Sequence, residues 1–287
     1  MYMFIGGRLR MGNRHLNLFY PQWQGGGYEL LGGAMELKEC YLGDHDFIEI
    51  EVLDEDSCPI ENGIIGYCSI VNQLKAAWSV IIREEPDTIF TVGGGCDAEI
   101  PTVSYLNHKL KGDLAVIWFD AHGDLNTPES SVSKKFHGMP LRALLGDGDA
   151  QIIKGVHTPL ACSQLIMVGQ RSLDEPEQQY IRDNSIEVFT VEKIQESIEP
   201  LIDAIGRISR NVYVHIDLDV LDTSEFPFVM VPEPNGLKTQ TLSAALKKIN
   251  GNFNIKGMSL LECMASGKSS SKLLKEIVEL GIALESK

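Results

Sequence analysis

Short apolar runs alternate with longer amphipathic segments along most of this chain. The short runs predict strands over 16–20, 47–52, 88–92, 114–119, 164–168, 188–190, 212–218 and 257–261. Several are apolar at every position, the pattern of a strand covered on both faces. The longer segments predict helices over 63–83, 98–110, 176–184, 191–207, 240–248 and 268–284. Alternation of this kind predicts an α/β fold, a parallel sheet with helices on both faces. No linker, repeat or low-complexity stretch interrupts it, so residues 1–287 read as a single domain. Sheets of this kind bind ligands outside the carboxyl ends of their strands. The residues that finish each strand are therefore the first candidates for chemistry.

Charge narrows the function classes. The chain carries a formal net charge of −15 and no basic stripe. That excludes the usual electrostatics of a nucleic-acid partner and of binding to an anionic membrane surface. Part of the acidity is consistent with carboxylates gathered at a cation site. The six cysteines form no C-x-x-C pair, which suits free thiols in a reducing, cytoplasmic setting. The N-terminal segment lacks the apolar core of a signal peptide, and no run of about 18 apolar residues predicts a membrane span.

Two strand ends carry the chemistry. The run LAVIWFD continues into AHGDLNTP, which places Asp120, His122 and Asp124 at alternate positions. Alternate residues of extended chain share one face, so these three side chains converge. The run VYVHIDLDVLD does the same with Asp217 and Asp219. Carboxylates beside an apolar strand are costly unless compensated, which points to one or two shared cations. Oxygen-rich ligation with some imidazole suits Mn²⁺, and four carboxylates against one histidine disfavour a structural zinc site.

DAHGDLNTP and HIDLDVLD resemble the two principal metal motifs of the arginase (ureohydrolase) superfamily, which also includes agmatinases and formiminoglutamases. HGMP, from His137, resembles the family's histidine segment, and Glu262 in MSLLECM resembles its late glutamate. VGGGC, ending at Cys96, stands where the family has GGDH. The resemblance spans roughly residues 90 to 265. It implies a three-layer α/β/α arginase-type fold with a mainly parallel sheet of about eight strands. It also implies two manganese ions bridged by Asp120 and Asp217. His122 and Asp219 would complete one position, Asp124 and Cys96 the other. The implied reaction is hydrolysis of the guanidino group of an arginine-like amino acid by a metal-activated hydroxide, releasing urea or hydroxyurea. Asp124 would orient the hydroxide, His137 would shuttle the proton, and Glu262 would pair with the guanidinium. A homo-oligomer, a trimer or hexamer, is implied as well.

The same resemblance extends to the substrate's other end. Asn126, Ser131 and Ser133 match the residues that hold an α-carboxylate. Asp174 and Glu177 match those that hold an α-amino group, although D-E-P-E is also an ordinary acidic helix start. Together they favour an α-amino acid over agmatine. The chain departs from the family at three points. Gly95 and Cys96 replace an aspartate and a ligand histidine, and Val231 stands where a hydroxyl residue is expected. Thiolate is soft and Mn²⁺ hard, so the ion near Cys96 is expected to be the weaker one. Family members with cysteine here include a branch suited to N-hydroxyarginine. An agmatinase, a formiminoglutamase and a catalytically idle metal-binding homologue are the alternatives.

Overall fold

A computed structural model describes residues 13–54, 58–267 and 271–286. The N-terminal segment before residue 13 and the predicted helix start at 268–270 lie outside the described residues. In chain order the elements are β1 (His15–Tyr20), α1 (Glu29–Leu37), β2 (Ile48–Glu49), β3 (Ile60–Glu61), β4 (Ile64–Ile65), α2 (Tyr67–Glu84) and β5 (Thr88–Gly93). They continue with α3 (Glu99–Lys109), β6 (Ala115–Phe119), α4 (Pro140–Leu144), α5 (Ala150–Ile153), β7 (Leu165–Val168), α6 (Glu175–Asp183) and β8 (Glu187–Phe189). The last are α7 (Val191–Glu196), α8 (Glu199–Ile208), β9 (Asn211–Ile216), α9 (Thr239–Asn252), β10 (Asn254–Leu260) and α10 (Lys272–Ile282).

Eight strands form one sheet in the order β2-β1-β5-β10-β9-β6-β7-β8. Every pairing in it is parallel. All eight are the strands that the apolar runs predict. Successive side chains leave the sheet on opposite faces and feed two apolar layers. Ala115, Ile117 and Phe119 of β6 join Val212, Val214 and Ile216 of β9 in the layer covered by α1, α8, α9 and α10. Val116, Trp118 and Tyr213 lie in the other, covered by α2, α3 and α4. Fully buried residues such as Trp118, Phe119 and Ile117 each stabilise this sandwich by about 1.5–3 kcal/mol.

Helices α1, α4 and α5 lie where the pattern predicts none, α9 runs on to Asn252 beyond its predicted end at 248, and two predicted helices differ in how they begin or divide. The predicted helix at 63–83 begins only at Tyr67. Asn62 and Gly63 instead take φ of 49° and 75° between β3 and β4, the two left-handed positions of a tight hairpin turn. The predicted helix at 191–207 is two helices, α7 and α8. Pro200 opens α8 because its ring fits a first turn and would break a helix interior.

Candidate metal centre

Four adjacent strands, β5, β10, β9 and β6, end side by side, and each delivers candidate ligands within a few residues of its end. β6 is followed by Asp120, His122 and Asp124, β9 by Asp217 and Asp219, β10 by Glu262, and β5 by Cys96. The strand ends are tied to one another. Asp217 N–H donates to Phe119 O at 2.9 Å, and Glu262 N–H donates to Gly94 O at 2.7 Å. Asp219 accepts from the Ala121 N–H at 2.9 Å and meets His122 Nδ1 at 2.8 Å. Cys96 Sγ lies 3.2 Å from Asp217 Oδ2, and Glu262 Oε1 accepts from the Cys96 N–H at 2.9 Å. The glycine run before Cys96 lets this loop pass close to β1. A Cβ on Gly94 would fall 1.7 Å from the Gln22 carbonyl oxygen.

The electrostatics of this cluster call for cations. Asp120, Asp124, Asp217, Asp219 and Glu262 are all buried. Burial, followed by neighbouring carboxylates, pushes Asp124 and Asp217 well above the ordinary carboxylate range, and Asp120 is raised for the same reasons. Burial opposes charge on His122, but hydrogen bonds to Asp120 and Asp219 prevail and push it up to about 12. Burial opposes charge on Asp219, but His122, the Ala121 N–H and Asp120 together hold its carboxyl below the ordinary range. Asp124 Oδ2 is buried without a hydrogen-bond partner. Asp124 and Glu262 both hold positive φ, 53° and 60°, strain of about 1 kcal/mol or more each that surrounding structure must sustain. Among the described residues three groups bring ligand atoms within 4.8 Å of one another: Cys96, Asp120, Asp124 and His215; Cys96, Asp217 and Glu262; Asp120, His122 and Asp219. Two adjacent divalent cations fit this donor set, since they would neutralise the carboxylates and engage the unpartnered oxygen.

A cleft of about 450 Å³ opens onto the cluster, lined by His122, Asp124, His137, Asp217, Asp219 and Glu262 at its floor. Its rim carries Asn126, Ser131, Ser133, Asp174, Glu177 and Val231. His137 Nδ1 lies 3.2 Å from Glu262 Oε1. Burial opposes the imidazolium, yet Glu262 and Asp97 raise its pKa overall. On the rim, Asn126 Nδ2 donates to Asp174 Oδ2 at 3.0 Å. Glu177 accepts from the backbone N–H of Leu125 and of Asp174, so it clamps the metal loop to the start of α6. Burial holds the Glu177 carboxyl at about 7 despite these bonds.

The arginase-family profile matches residues 28–278 of the chain. The arginase of Staphylococcus aureus (strain MRSA252) is 31% identical over 232 residues, which cover 77% of this chain and 76% of that one. The chain belongs to the arginase family. The native structure of the arginase from Bacillus caldovelox superposes with a TM-score of 0.82 at 22% identity, covering 96% of this chain and 99% of that one. The formimidoylglutamase of Bacillus subtilis subsp. subtilis str. 168 superposes with a TM-score of 0.68 at 18% identity, covering 98% of this chain and 88% of that one. The fold is thus the arginase-type three-layer fold, and the chain is a hydrolase acting on C–N bonds.

Every site residue predicted for this arginase-family chain lies at the cluster or on the cleft. Several neighbours are not among the predicted site residues. His215, two residues before Asp217, points into the cluster. Trp118 Nε1 donates to Asp120 Oδ2 at 3.0 Å. Glu233 approaches His122 Nε2 at 3.8 Å and accepts from Ser172 Oγ. Asp97 is buried with both carboxylate oxygens unpartnered, and burial raises it to about 7. Arg171 donates to the backbone carbonyls of Gly169, Asp219, Val220, Leu221, Glu233 and Pro234. Only His215 had a signal in the sequence, its alternation with Asp217 and Asp219. No helix among the described residues is long and apolar enough to cross a membrane.

Proposed function

We propose that this arginase-family hydrolase cleaves the guanidino group of an arginine-like α-amino acid, arginine or N-hydroxyarginine, with two divalent cations, manganese being the first candidate. The observation that carries this reading is the cleft's arrangement. One cleft is lined both by the carboxylates and imidazoles of the cluster and by the hydroxyl, amide and carboxylate groups of Asn126, Ser131, Ser133 and Asp174. Asp120, His122, Asp124, Cys96, Asp217 and Asp219 would hold the ions. When bound, such a pair lowers the pKa of a shared water and so supplies the nucleophile near neutral pH.

The chain's own groups do the rest. Glu262 faces the cleft floor and pairs with a guanidinium through parallel hydrogen bonds, the strongest geometry for that group. His137, held against Glu262, carries a proton to the departing amine, a role that suits imidazole. Asp124 accepts a hydrogen bond from the attacking water and fixes its approach. Asn126, Ser131 and Ser133 donate to an α-carboxylate without burying a cation, and Asp174 faces an α-ammonium. Glu177, with both oxygens engaged, acts mainly by holding Asp174 and the metal loop in register. Val231 lines the cleft where the family resemblance expects a hydroxyl residue, and a substrate that carries its own N-hydroxy group suits that lack.

The test is a substrate panel. Mn²⁺-loaded protein is incubated with arginine, N-hydroxyarginine, agmatine and formiminoglutamate, and urea, hydroxyurea and formamide are measured. Turnover is expected for the two α-amino-acid guanidines and not for agmatine. Absence of product from every compound, with metal bound, overturns the proposal, and preference for agmatine overturns the assignment of the rim.

A further inference from the structure

The substitution at Cys96 removes an imidazole from the loop after β5, and the structure shows another one arriving from a different strand. β9 points His215 to the same face as Asp217. His215 is paired in register with Trp118 of β6, and their rings stack at 3.6 Å with only 10° between planes. That stacking fixes the imidazole plane. Its Nδ1 lies 2.9 Å from Glu99 Oε1, at the start of α3. Both residues are fully buried. Glu99 therefore takes the Nδ1 proton as acceptor, and the Nε2 lone pair is aimed at the cluster. Nε2 lies 3.6 Å from Cys96 Sγ and 4.0 Å from Asp120 Oδ2.

We infer that His215 is a direct metal ligand, so that one cation position of this centre is built from Cys96 and His215 together with Asp120 and Asp124. The inference rests on the metal-centre reading above and extends it. The distances support it. Arms of about 2.3 Å to sulfur and about 2.0–2.1 Å to imidazole nitrogen, at a tetrahedral angle, set the two ligand atoms about 3.6 Å apart. The ligand atoms of these four residues lie within 4.8 Å of one another. The supporting contacts are also those of a ligand histidine, because the far ring nitrogen of such a residue donates to a buried carboxylate that fixes its tautomer and orientation. Glu99 is then a positioning residue, acting through the ring of His215.

The two cation positions differ in kind as a result. The one at Asp120, His122 and Asp219 is rich in oxygen. The one at Cys96 and His215 offers sulfur and nitrogen, which favours a borderline ion such as Zn²⁺ or Co²⁺ over Mn²⁺. A weak ion is expected from Cys96 alone; with His215 added, the preference changes rather than the capacity to bind.

The test uses the full-length chain, stripped with chelator and titrated with Co²⁺ while bound metal and absorption are followed. Wild type is expected to take up two equivalents, one of them with a thiolate-to-cobalt charge-transfer band. His215→Asn keeps a donor near the Nδ1 position for Glu99 and deletes Nε2. It should retain one equivalent at wild-type affinity, weaken the other by at least about 100-fold and lose the band; a loss larger than the roughly 10–100-fold of a supporting residue marks a direct ligand. Glu99→Gln should weaken the same equivalent by about 10–100-fold, and Cys96→Ser should weaken it and abolish the band. Chain melting without metal checks that each variant folds, and the Glu99 and Cys96 variants decide the matter if His215→Asn does not. Two equivalents bound to His215→Asn with wild-type affinity and spectrum overturn the inference and leave the metal centre standing. Wild type that binds neither Co²⁺, Zn²⁺ nor Mn²⁺ overturns both.

Discussion

At the scale of single residues, Asp124 carries the most direct argument for the proposed cation site. It is buried, one carboxylate oxygen has no partner, and its backbone is left-handed. Without metal, an ionised Asp124 faces Asp120, Glu177 and Glu262, and its pKa is driven up, first by burial and then by those neighbours. Asp124→Asn removes that charge at constant shape. Near pH 8 the chelated variant should melt at or above wild type, by about 1 kcal/mol or about 2–4 °C. With metal present it should melt below wild type, and hydrolysis should fall at least about 100-fold. Calorimetry with and without chelator, alongside product release, checks both. Full turnover in the variant would contradict the role given to Asp124. The carboxylates were legible in the sequence because a charge ending an apolar strand is anomalous and must be explained. His215 was less so, since a histidine inside a strand is ordinary. Only its two-residue spacing from Asp217 marks its face, and its ring partner Trp118 and its acceptor Glu99 come from other elements.

At the scale of elements, the loops after β7 and β9 form one unit because Arg171 spans them. Its guanidinium reaches backbone carbonyls from Gly169 to Pro234, and so fixes the approach to Asp219 and the stretch carrying Val231 and Glu233. Nothing local in the sequence distinguishes this arginine from a surface one, because its partners are main-chain atoms about 50 and 60 residues away. Arg171→Met should cost about 2–4 kcal/mol, since several carbonyls lose a charged donor at once. KM should rise more than kcat falls. Arg171→Lys should recover little, because an ammonium cannot reproduce the guanidinium fork. Denaturant melts and steady-state kinetics read both effects, and a neutral Arg171→Met would show that the loops hold without it. The hairpin before α2 is the opposite case. Asn62–Gly63 is a recognised turn pair, but its strands are two residues each, too short for alternation to separate them from the helix that follows.

At the scale of the whole molecule, the strands were legible but their order was not. Apolar runs report burial, not partners, and β10 inserts between β9, the strand before it in the chain, and β5, far earlier in the sequence. That insertion brings Glu262 beside Cys96 and Asp217 and concentrates acid in one place, and the concentration makes stability depend on pH and metal together. In the metal-free chain Asp120, Asp124 and Asp217 hold raised pKa values, and Glu177 moves from 4.5 to about 7. A carboxyl with a raised folded pKa stabilises fully below its unfolded value and loses that contribution as pH climbs through the folded one. For Glu177 the window runs from 4.5 to about 7, and its share is on the order of 3 kcal/mol. The raised His122 acts in the same direction, its contribution fading as pH rises from 6.5 toward about 12. Chelated protein should therefore melt highest near about pH 5 and progressively lower toward about pH 8. On the proposed function, divalent ions should reverse the slope, because they would bind the deprotonated carboxylates, release protons and stabilise by mass action more strongly as pH rises. Glu177→Gln should flatten the chelated curve between about pH 4.5 and 7 while leaving the metal-dependent rise above it. Melting curves across this range, with chelator and with saturating Mn²⁺, give the two slopes directly. Parallel slopes would mean that the buried acids are not where the cations act.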